Sequence, residues 1–301
     1  MTQIEEYQIE DYVLHRYENV LLDHANNDGQ LAVTITENDA LNRDFFRTNY
    51  NESPCLASTI AMEILALGAI VSQGEPIPGM MAIFAGMLNV SLHMPLPMGE
   101  RITGTTQKVS DKGGFIKYKG SLYCNDSCLA EGSILAFVTE SLTTNDAVKK
   151  VDDPPKVQEG QPVSKDRTYK DPYLHMVDQY ISDTETTCLT SYTFPETHPL
   201  IKGHFPGNPL MMGVLQWLTI EDACRQYARI HCEQAPVIIK GNAILFKADS
   251  SLVAEVKQFE VKVTHQGQTA ARLTHTKRIS FRQMVRPKDT VFTYLTDLSI
   301  E

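Results

Sequence analysis

The sequence predicts an α+β chain built twice, each half contributing one apolar helix followed by an antiparallel sheet. The first observation behind this is an internal repeat. Sliding the 301-residue chain by 155 positions lays "DFFRTNYNESPCLASTIAMEIL" on "PLIKGHFPGNPLMMGVLQWLTI" without a gap, setting Arg47 on Lys202, Tyr50 on Phe205 and Pro54 on Pro209. The same shift sets Asp23 on Asp178, Asp28 on Asp183 and Gly86 on Gly241. The second is a shared layout: an opening stretch, a turn-rich approach, a helix-length apolar run and a series of alternating strands. The third is a polar segment between the halves that is too hydrophilic to belong to either core.

In the first half, "YENVLLDH" reads as the opening strand and "STIAMEILALGAIV" (58–71) as the helix. The stretches "MLNVSLHM", "RITGTTQKV", "GGFIKYKGSLYC" and "GSILAFVTE" then alternate with the period of half-buried strands. Between the halves lies "TTNDAVKKVDDPPKVQEGQPVSKDRTYKDP" (143–172), with Pro154, Pro155, Pro162 and Pro172, a linker composition. The second half opens with "DPYLHMVDQ" and reaches "HFPGNPLMMG", where Pro206 and Pro209 stiffen the chain while Gly207 and Gly213 permit turns and close backbone approach. A helix therefore starts abruptly near Gly213, and Val214, Leu215, Trp217, Leu218 and Ile220 make it apolar on nearly every side, as suits a helix wrapped by a sheet. The strands "NAILFKA", "LVAEVKQFEVKVTH", "TAARLTHTKRISF" and "TVFTYLTDL" complete this half.

Composition excludes several functions. A net charge of −10 argues against general affinity for nucleic acid, whose phosphates require a basic face. The longest apolar stretch carries Glu63 and is too short to span a bilayer, and "MTQIEEYQIEDY" is too acidic for a signal peptide, so a cytoplasmic protein is expected. The six cysteines form no CxxC pair and match no zinc spacing, which reads as buried free thiols, with no metal and no cofactor expected.

His204 draws the functional reading. The first-turn N–H groups of a helix starting at Gly213 have no partner within the helix and make a ready site for an oxyanion or carbonyl. A histidine just upstream could meet a substrate held there.

The stretch "HFPGNPLMMGVL" resembles the "HFPGxPxxPGVL" of bacterial 3-hydroxyacyl-[acyl-carrier-protein] dehydratases of the FabZ/FabA type, and "HPLIKG" and "LHRYENVLLDH" are similar to that family's approach and opening segments. The resemblance is strong over residues 198–216 and weak elsewhere in both halves. It implies a tandem hotdog, two curved antiparallel sheets each wrapped around a central helix, with residues 1–142 as the first domain, 143–167 as linker and 168–301 as the second. In the family the site lies at a dimer interface, where the His of one hotdog faces an acid 14 residues further on in the helix of the other. Here that position in the second half is Leu218, whereas the repeat sets Asn49 opposite His204, and 14 residues after Asn49 stands Glu63. One composite site from His204 and Glu63 is therefore expected, with Asn49 and Leu218 unable to do proton chemistry.

The implied activity is that of a hydro-lyase of fatty acid or polyketide biosynthesis, dehydrating a 3-hydroxyacyl thioester to the trans-2-enoyl thioester. His204 suits the base, since imidazole titrates near neutral pH. Glu63 suits the acid, desolvation in an apolar helix favouring its neutral form. The N–H of Gly213 would hold the thioester carbonyl, and Phe205, Pro206 and Gly207 would shape the substrate-facing turn. Two departures stand out: Met212 where the family has Pro, and a first half that keeps none of "HFPG" except a later proline. A hotdog acyl thioesterase and a non-catalytic acyl-binding or scaffold partner are the alternatives. The substrate would arrive on an acyl carrier protein or CoA. Within "RLTHTKRISFRQMVRPK" (272–288), which holds no acid, Lys277, Arg278, Arg282 and Arg286 are the docking candidates for an acidic carrier, alongside Arg272 and Lys288. The halves would form a pseudo-dimer within one chain, itself free to pair as a homodimer.

Overall fold

The computed structural model describes residues 8–50, 52–74, 81–139, 148–165, 170–233, 236–266 and 268–301. The first half runs through helix α1 (Ile9–Tyr12), β1 (His24–Ala25), β2 (Gln30–Val33), β3 (Arg47–Tyr50), β4 (Ser53–Leu56), helix α2 (Ile60–Val71), β5 (Met81–Leu92), β6 (Leu96–Pro97), β7 (Ile102–Lys112), β8 (Phe115–Cys124) and β9 (Ser127–Thr139). The second comprises β10 (Gln161–Pro162), β11 (Gln179–Asp183), β12 (Cys188–Thr193), helix α3 (Gly213–His231), β13 (Val237–Lys247), β14 (Leu252–Gln266), β15 (Gln268–Phe281) and β16 (Thr290–Ile300). This is a double hotdog.

Each helix forms because its residues have an apolar shell to enter. Every residue of α2 except Ile70 is buried, and the strands over it alternate: Ile116, Tyr118 and Leu122 of β8 point inward while their neighbours are more exposed. Helix α3 is longer and differs from its expected apolar character. Its first turns bury Val214, Leu215, Trp217 and Leu218, but further along Glu221, Asp222, Arg225 and Gln226 are buried as well. Buried charge of that kind requires partners, which come from elsewhere in the chain, as described below.

Both halves share one antiparallel sheet of order β1-β2-β7-β8-β9-β5-β15-β14-β13-β16-β12-β11-β10, with β3, β4 and β6 forming a separate small sheet. The halves join where β5 pairs with β15, Leu88 opposite Arg278 and Gly86 opposite Ser280. The repeat is incomplete at this level. In the first half the strand directly after the helix, β5, lies at the junction, whereas in the second half the corresponding strand, β13, lies between β14 and β16 and the junction is made by β15.

The opening stretches differ from a plain strand: Tyr17–Asn19 and Pro172–Leu174 are single 3-10 turns, and pairing starts only at His24 and Gln179. Of the polar linker, residues 143–147 and 166–169 lie outside the described residues. Of the rest, Lys150 is bridged to Ser251 and Gln161–Pro162 is paired to β11 in the second half, whereas Lys170 is bridged to Thr48 of the first. All six cysteines are free thiols; Cys55, Cys188 and Cys224 are buried, while Cys124, Cys128 and Cys232 are only partly so, since they sit at strand and helix ends. Among the described residues no helix is long and apolar enough to cross a membrane.

Candidate active site

His204 is held by the turn that follows it. The Asn208 N–H donates to Phe205 O at 2.9 Å, and Gly207 takes φ +77 after Pro206, the conformation a turn of this type demands at its third residue. The chain then doubles back so that Leu210 N–H donates to His204 O at 2.9 Å, while His204 Nδ1 lies 3.0 Å from Leu210 O. A carbonyl can only accept, so Nδ1 carries the proton and Nε2 keeps its lone pair. Three residues later α3 begins, with Leu215 and Gln216 as the first N–H groups bonded back to Met212 O. The N–H groups of Gly213 and Val214 precede them.

Glu63 projects from the first turn of α2 in the other half and is 6% exposed. Its carboxylate comes within 4.8 Å of His204, and a third side chain joins them: His15, with Nε2 3.4 Å from Glu63 Oε1. The ring centroid of His15 stands 4.9 Å from that of His204 and 5.1 Å from Phe205, and Phe205 stacks on His204 at 4.2 Å. His15 reaches this position because Arg16 N–H donates to Gly203 O at 3.1 Å and Asn19 Nδ2 reaches Leu200 O, which stitches the opening segment of the first half to the approach segment of the second. His15 is the residue that sequence reasoning did not single out, although it stands inside the opening stretch "LHRYENVLLDH".

The electrostatics follow from enclosure. Burial, reinforced by the neighbouring His15, lowers the His204 pKa to about 4 despite the pull of Glu63 in the other direction. His204 is thus neutral through the physiological range, its Nδ1–H spent on a backbone carbonyl, in a buried cluster with a carboxyl group and a second imidazole. That arrangement can move a proton between two positions of a small substrate, and its two imidazoles and one carboxylate are also donors that a divalent cation could use.

The remaining candidates are distributed around this centre. Gly213 is flanked by Phe84 of β5 and Phe281 of β15, whose rings lie 5.6 Å apart; a Cβ at Gly213 would come within 3.0 Å of the Phe281 ring and 3.2 Å of Phe84. The wall beside the helix start is therefore also made by both halves. Pro206 and Gly207 sit at the exposed tip of the turn, with Phe205 beneath. Lys277, Arg278, Arg282, Arg286 and Lys288 are exposed. Arg286 donates to Asn208 Oδ1 at 2.7 Å and so connects the basic segment to the histidine turn. Acids from neighbouring elements partly neutralise the segment: Arg282 lies 3.5 Å from Glu255 and Lys288 2.7 Å from Glu196. Arg272 does not belong to this surface. It is buried, and its guanidinium donates to the carbonyls of Leu92 at 2.7 Å and His93 at 3.3 Å because its strand position points into the junction.

The positions related to the site by the repeat hold different chemistry. Asn49 lies on β3 and Leu218 is fully buried in α3. Lys170 stands where the repeat would set a counterpart of His15, and its Nζ pairs with Asp222 Oδ1 at 2.6 Å, both side chains nearly inaccessible.

No protein-family model matches the chain. The chain is 28% identical over 116 residues to the 3-hydroxyacyl-[acyl-carrier-protein] dehydratase FabZ of Acinetobacter baylyi, covering 37% of this chain and 78% of that one. To FabZ of Halalkalibacterium halodurans it is 30% identical over 131 residues, covering 42% of this chain and 93% of the relative. Among solved structures, the dehydratase domain from the CurK module of the curacin polyketide synthase aligns with TM-score 0.43 and 12% identity, over 91% of this chain and 92% of that one. A chain from Novosphingobium aromaticivorans provisionally assigned as a thioesterase aligns with TM-score 0.44 and 10% identity, over 89% and 95%. Likeness at that level bears on neither activity nor substrate. With a relative at 30% identity matched over nearly its whole length, the chain belongs to the FabZ family of 3-hydroxyacyl-[acyl-carrier-protein] dehydratases.

Proposed function

We propose that the chain dehydrates a 3-hydroxyacyl thioester to the trans-2-enoyl thioester at one composite site shared by its two halves. The observation that supports this most is the convergence of His204 and Glu63, from different halves, in one buried cluster in which His204 Nδ1–H is bonded to a backbone carbonyl, leaving Nε2 as the basic nitrogen. In this reading Nε2 takes the C2 proton, and the electron pair of that C–H bond passes through an enolate-like state into the C2–C3 double bond. The N–H groups at the start of α3 hold the thioester oxygen while its charge builds. The C3–O bond breaks as Glu63 delivers a proton to the hydroxyl, and water leaves. The site is left with an imidazolium and a carboxylate. Transfer of the proton from His204 to Glu63, with His15 alongside as a relay, restores it.

Charge supports a carrier-borne substrate. Arg286 is bonded to the turn next to His204, and Lys277, Arg278 and Arg282 extend the same basic run, so an acidic acyl carrier protein docked there would present its acyl group near the turn. An acyl-CoA would place its phosphates on the same residues.

The test is to follow a crotonyl or 3-hydroxybutyryl thioester by enoyl absorbance and by free thiol together. The expected result is a change in absorbance with no thiol released, lost by ~10² to 10⁴ in His204→Ala and in Glu63→Gln, the range for removal of an acid–base group. Thiol release without enoyl formation would make the chain a thioesterase. Folded His204→Ala with wild-type turnover would leave an acyl-binding or scaffold role.

A further inference from the structure

We propose that His15, Glu63 and His204 form a binding site for zinc(II), and that zinc held there blocks the proton chemistry of the same residues. The inference rests on the composite site proposed above and adds a ligand to it. Each residue offers one donor atom, and all three atoms lie within 4.8 Å of one another. Tetrahedral zinc with bonds of about 2.0–2.1 Å sets its ligands about 3.3 Å apart, and the His15 Nε2 to Glu63 Oε1 distance is already 3.4 Å. The widest separation needs to close by about 1.5 Å to reach that edge, which rotation of three side chains can supply.

Three further features favour a metal over a chance cluster. His204 has the outer partner that zinc-bound imidazoles have: Nδ1–H is spent on a backbone carbonyl at 3.0 Å, which orients the ring and leaves Nε2 to coordinate. His15 is buried, yet neither of its ring nitrogens has hydrogen-bond geometry to any described group, an arrangement that carries a cost unless something accepts or donates there. The donor set, two imidazoles and one carboxylate, leaves a fourth position open, as in zinc sites that bind an exchangeable ligand. Nitrogen donors also set the preference: zinc over magnesium, which selects oxygen ligands and octahedral geometry.

The consequence for activity is direct. A cation on Nε2 occupies the lone pair that would take the C2 proton, and the same cation holds the Glu63 carboxylate deprotonated. Zinc would therefore inhibit reversibly, in competition with substrate.

The experiment titrates the full chain, freed of metal by EDTA, with zinc chloride and separately with magnesium chloride by calorimetry, and reads cobalt(II) absorbance as a spectroscopic stand-in. One zinc per chain is expected, with weak or no magnesium binding, and tetrahedral cobalt bands without thiolate charge transfer. His15→Ala, Glu63→Gln and His204→Ala should each weaken zinc by ~10-fold or more, a scale that even outer-sphere partners reach. His15→Gln, which keeps bulk in the core, guards against a variant that fails to fold. His231→Ala removes a surface His–Asp pair that could bind zinc adventitiously, His231 Nε2 lying 2.5 Å from Asp183 Oδ2, and should change neither the cobalt spectrum nor turnover. Absence of zinc binding by a chain that dehydrates normally would overturn the metal site and leave the activity untouched, as would zinc binding lost in His231→Ala but kept in His15→Gln. Stoichiometric zinc binding that the site variants weaken, in a chain that never dehydrates, would support the metal site and count against the proposed reaction.

Discussion

Replacing Gly203 by Ala should separate the two halves at the site without touching a reacting group. Gly203 has φ −104 and ψ −13, which any residue accepts, so the substitution adds no backbone strain. The cost lies in space. A Cβ there would sit 2.2 Å from Arg16 O and 2.3 Å from Asn19 Nδ2, whereas close C···O contacts settle at about 3.3–3.6 Å. The opening segment must therefore retreat by about 1 Å, and it cannot do so freely, because Arg16 N–H is bonded to Gly203 O at 3.1 Å. His15 is the residue next to Arg16, so its ring leaves His204 and Glu63. A misplacement of about 1 Å can cost ~10² in rate, and overpacking of this kind ~1–3 kcal/mol in stability. Crotonyl thioester hydration and thermal melts read both. Gly207→Ala is the contrasting control: nothing lies within 4 Å of its Cβ, and its penalty comes only from φ +77, about 1–2 kcal/mol, with His15 left in place. Wild-type turnover and melting in Gly203→Ala would refute the idea that this contact seats His15.

Acid should destabilise the chain in a specific window. Burial lowers both His204 and His198 to about 4, from an ordinary value of 6.5, so the unfolded state takes up protons between those limits that the folded state refuses. Stability is unaffected by these groups above pH 6.5 and falls by up to about 3 kcal/mol per residue as pH drops toward 4; urea melts across that range should show the slope, reduced in His204→Gln, and an unchanged slope would count against a neutral buried His204. Reversing Arg278, Arg282 and Arg286 to Glu should slow turnover of a carrier-borne substrate by ~10-fold or more through its association rate while sparing an N-acetylcysteamine thioester; equal loss on both would assign these residues to folding or to the pocket. Lys170→Met should cost ~3–5 kcal/mol by leaving Asp222 buried without its cation, seen as a lowered melting point, with per-molecule turnover retained by the folded fraction; a melting point equal to wild type would contradict the burial of that pair.

Much of this molecule is legible in its residues. Both long helices and the eight long strands fall where apolar periodicity sets them, because side chains that alternate in or out of a single core leave a two-residue signature. The repeat even survives in backbone conformation where the residues have diverged. Gly207 and its counterpart Glu52 both take positive φ, +77 and +62, although only glycine does so without strain. The order of strands in the sheet was not legible, since alternation says which face a residue occupies and nothing about its neighbour; hence Gly86 and Gly241 align in the repeat yet lie on strands with different places in the sheet. His15 and Arg272 escaped for a related reason. His15 acquires a role only where Gly203 lets a segment of the other half approach, and Arg272, which belongs by composition to a basic run, is turned inward by its register. Helix α3 likewise is apolar over its first two turns, while the charges buried further along depend on residues far away in sequence.

Those buried charges bear on why the proposed composite site has no mirror copy. The positions that would mirror Glu63, His204 and His15 are Leu218, Asn49 and Lys170, none of which gives the pair of proton carriers that dehydration requires. Further along α3, buried Asp222 is held within its own half while buried Glu221 also reaches the first half. Lys170 pairs with Asp222, whose other oxygen accepts from Met176 N–H at 2.6 Å, and although burial alone would raise the Asp222 carboxyl, Lys170 and His175 hold it below its ordinary range. One residue earlier, Glu221 accepts from the Leu273 N–H at 2.8 Å and from Ser58, which stands just before α2 of the first half. A symmetric pair of hotdogs must keep both sites identical, because one gene supplies both. Once the two units share a chain, each mirror position is free to change separately, and a buried network such as the one around Glu221, which reaches Ser58 just before α2, can occupy positions that a second copy of the proposed site would need.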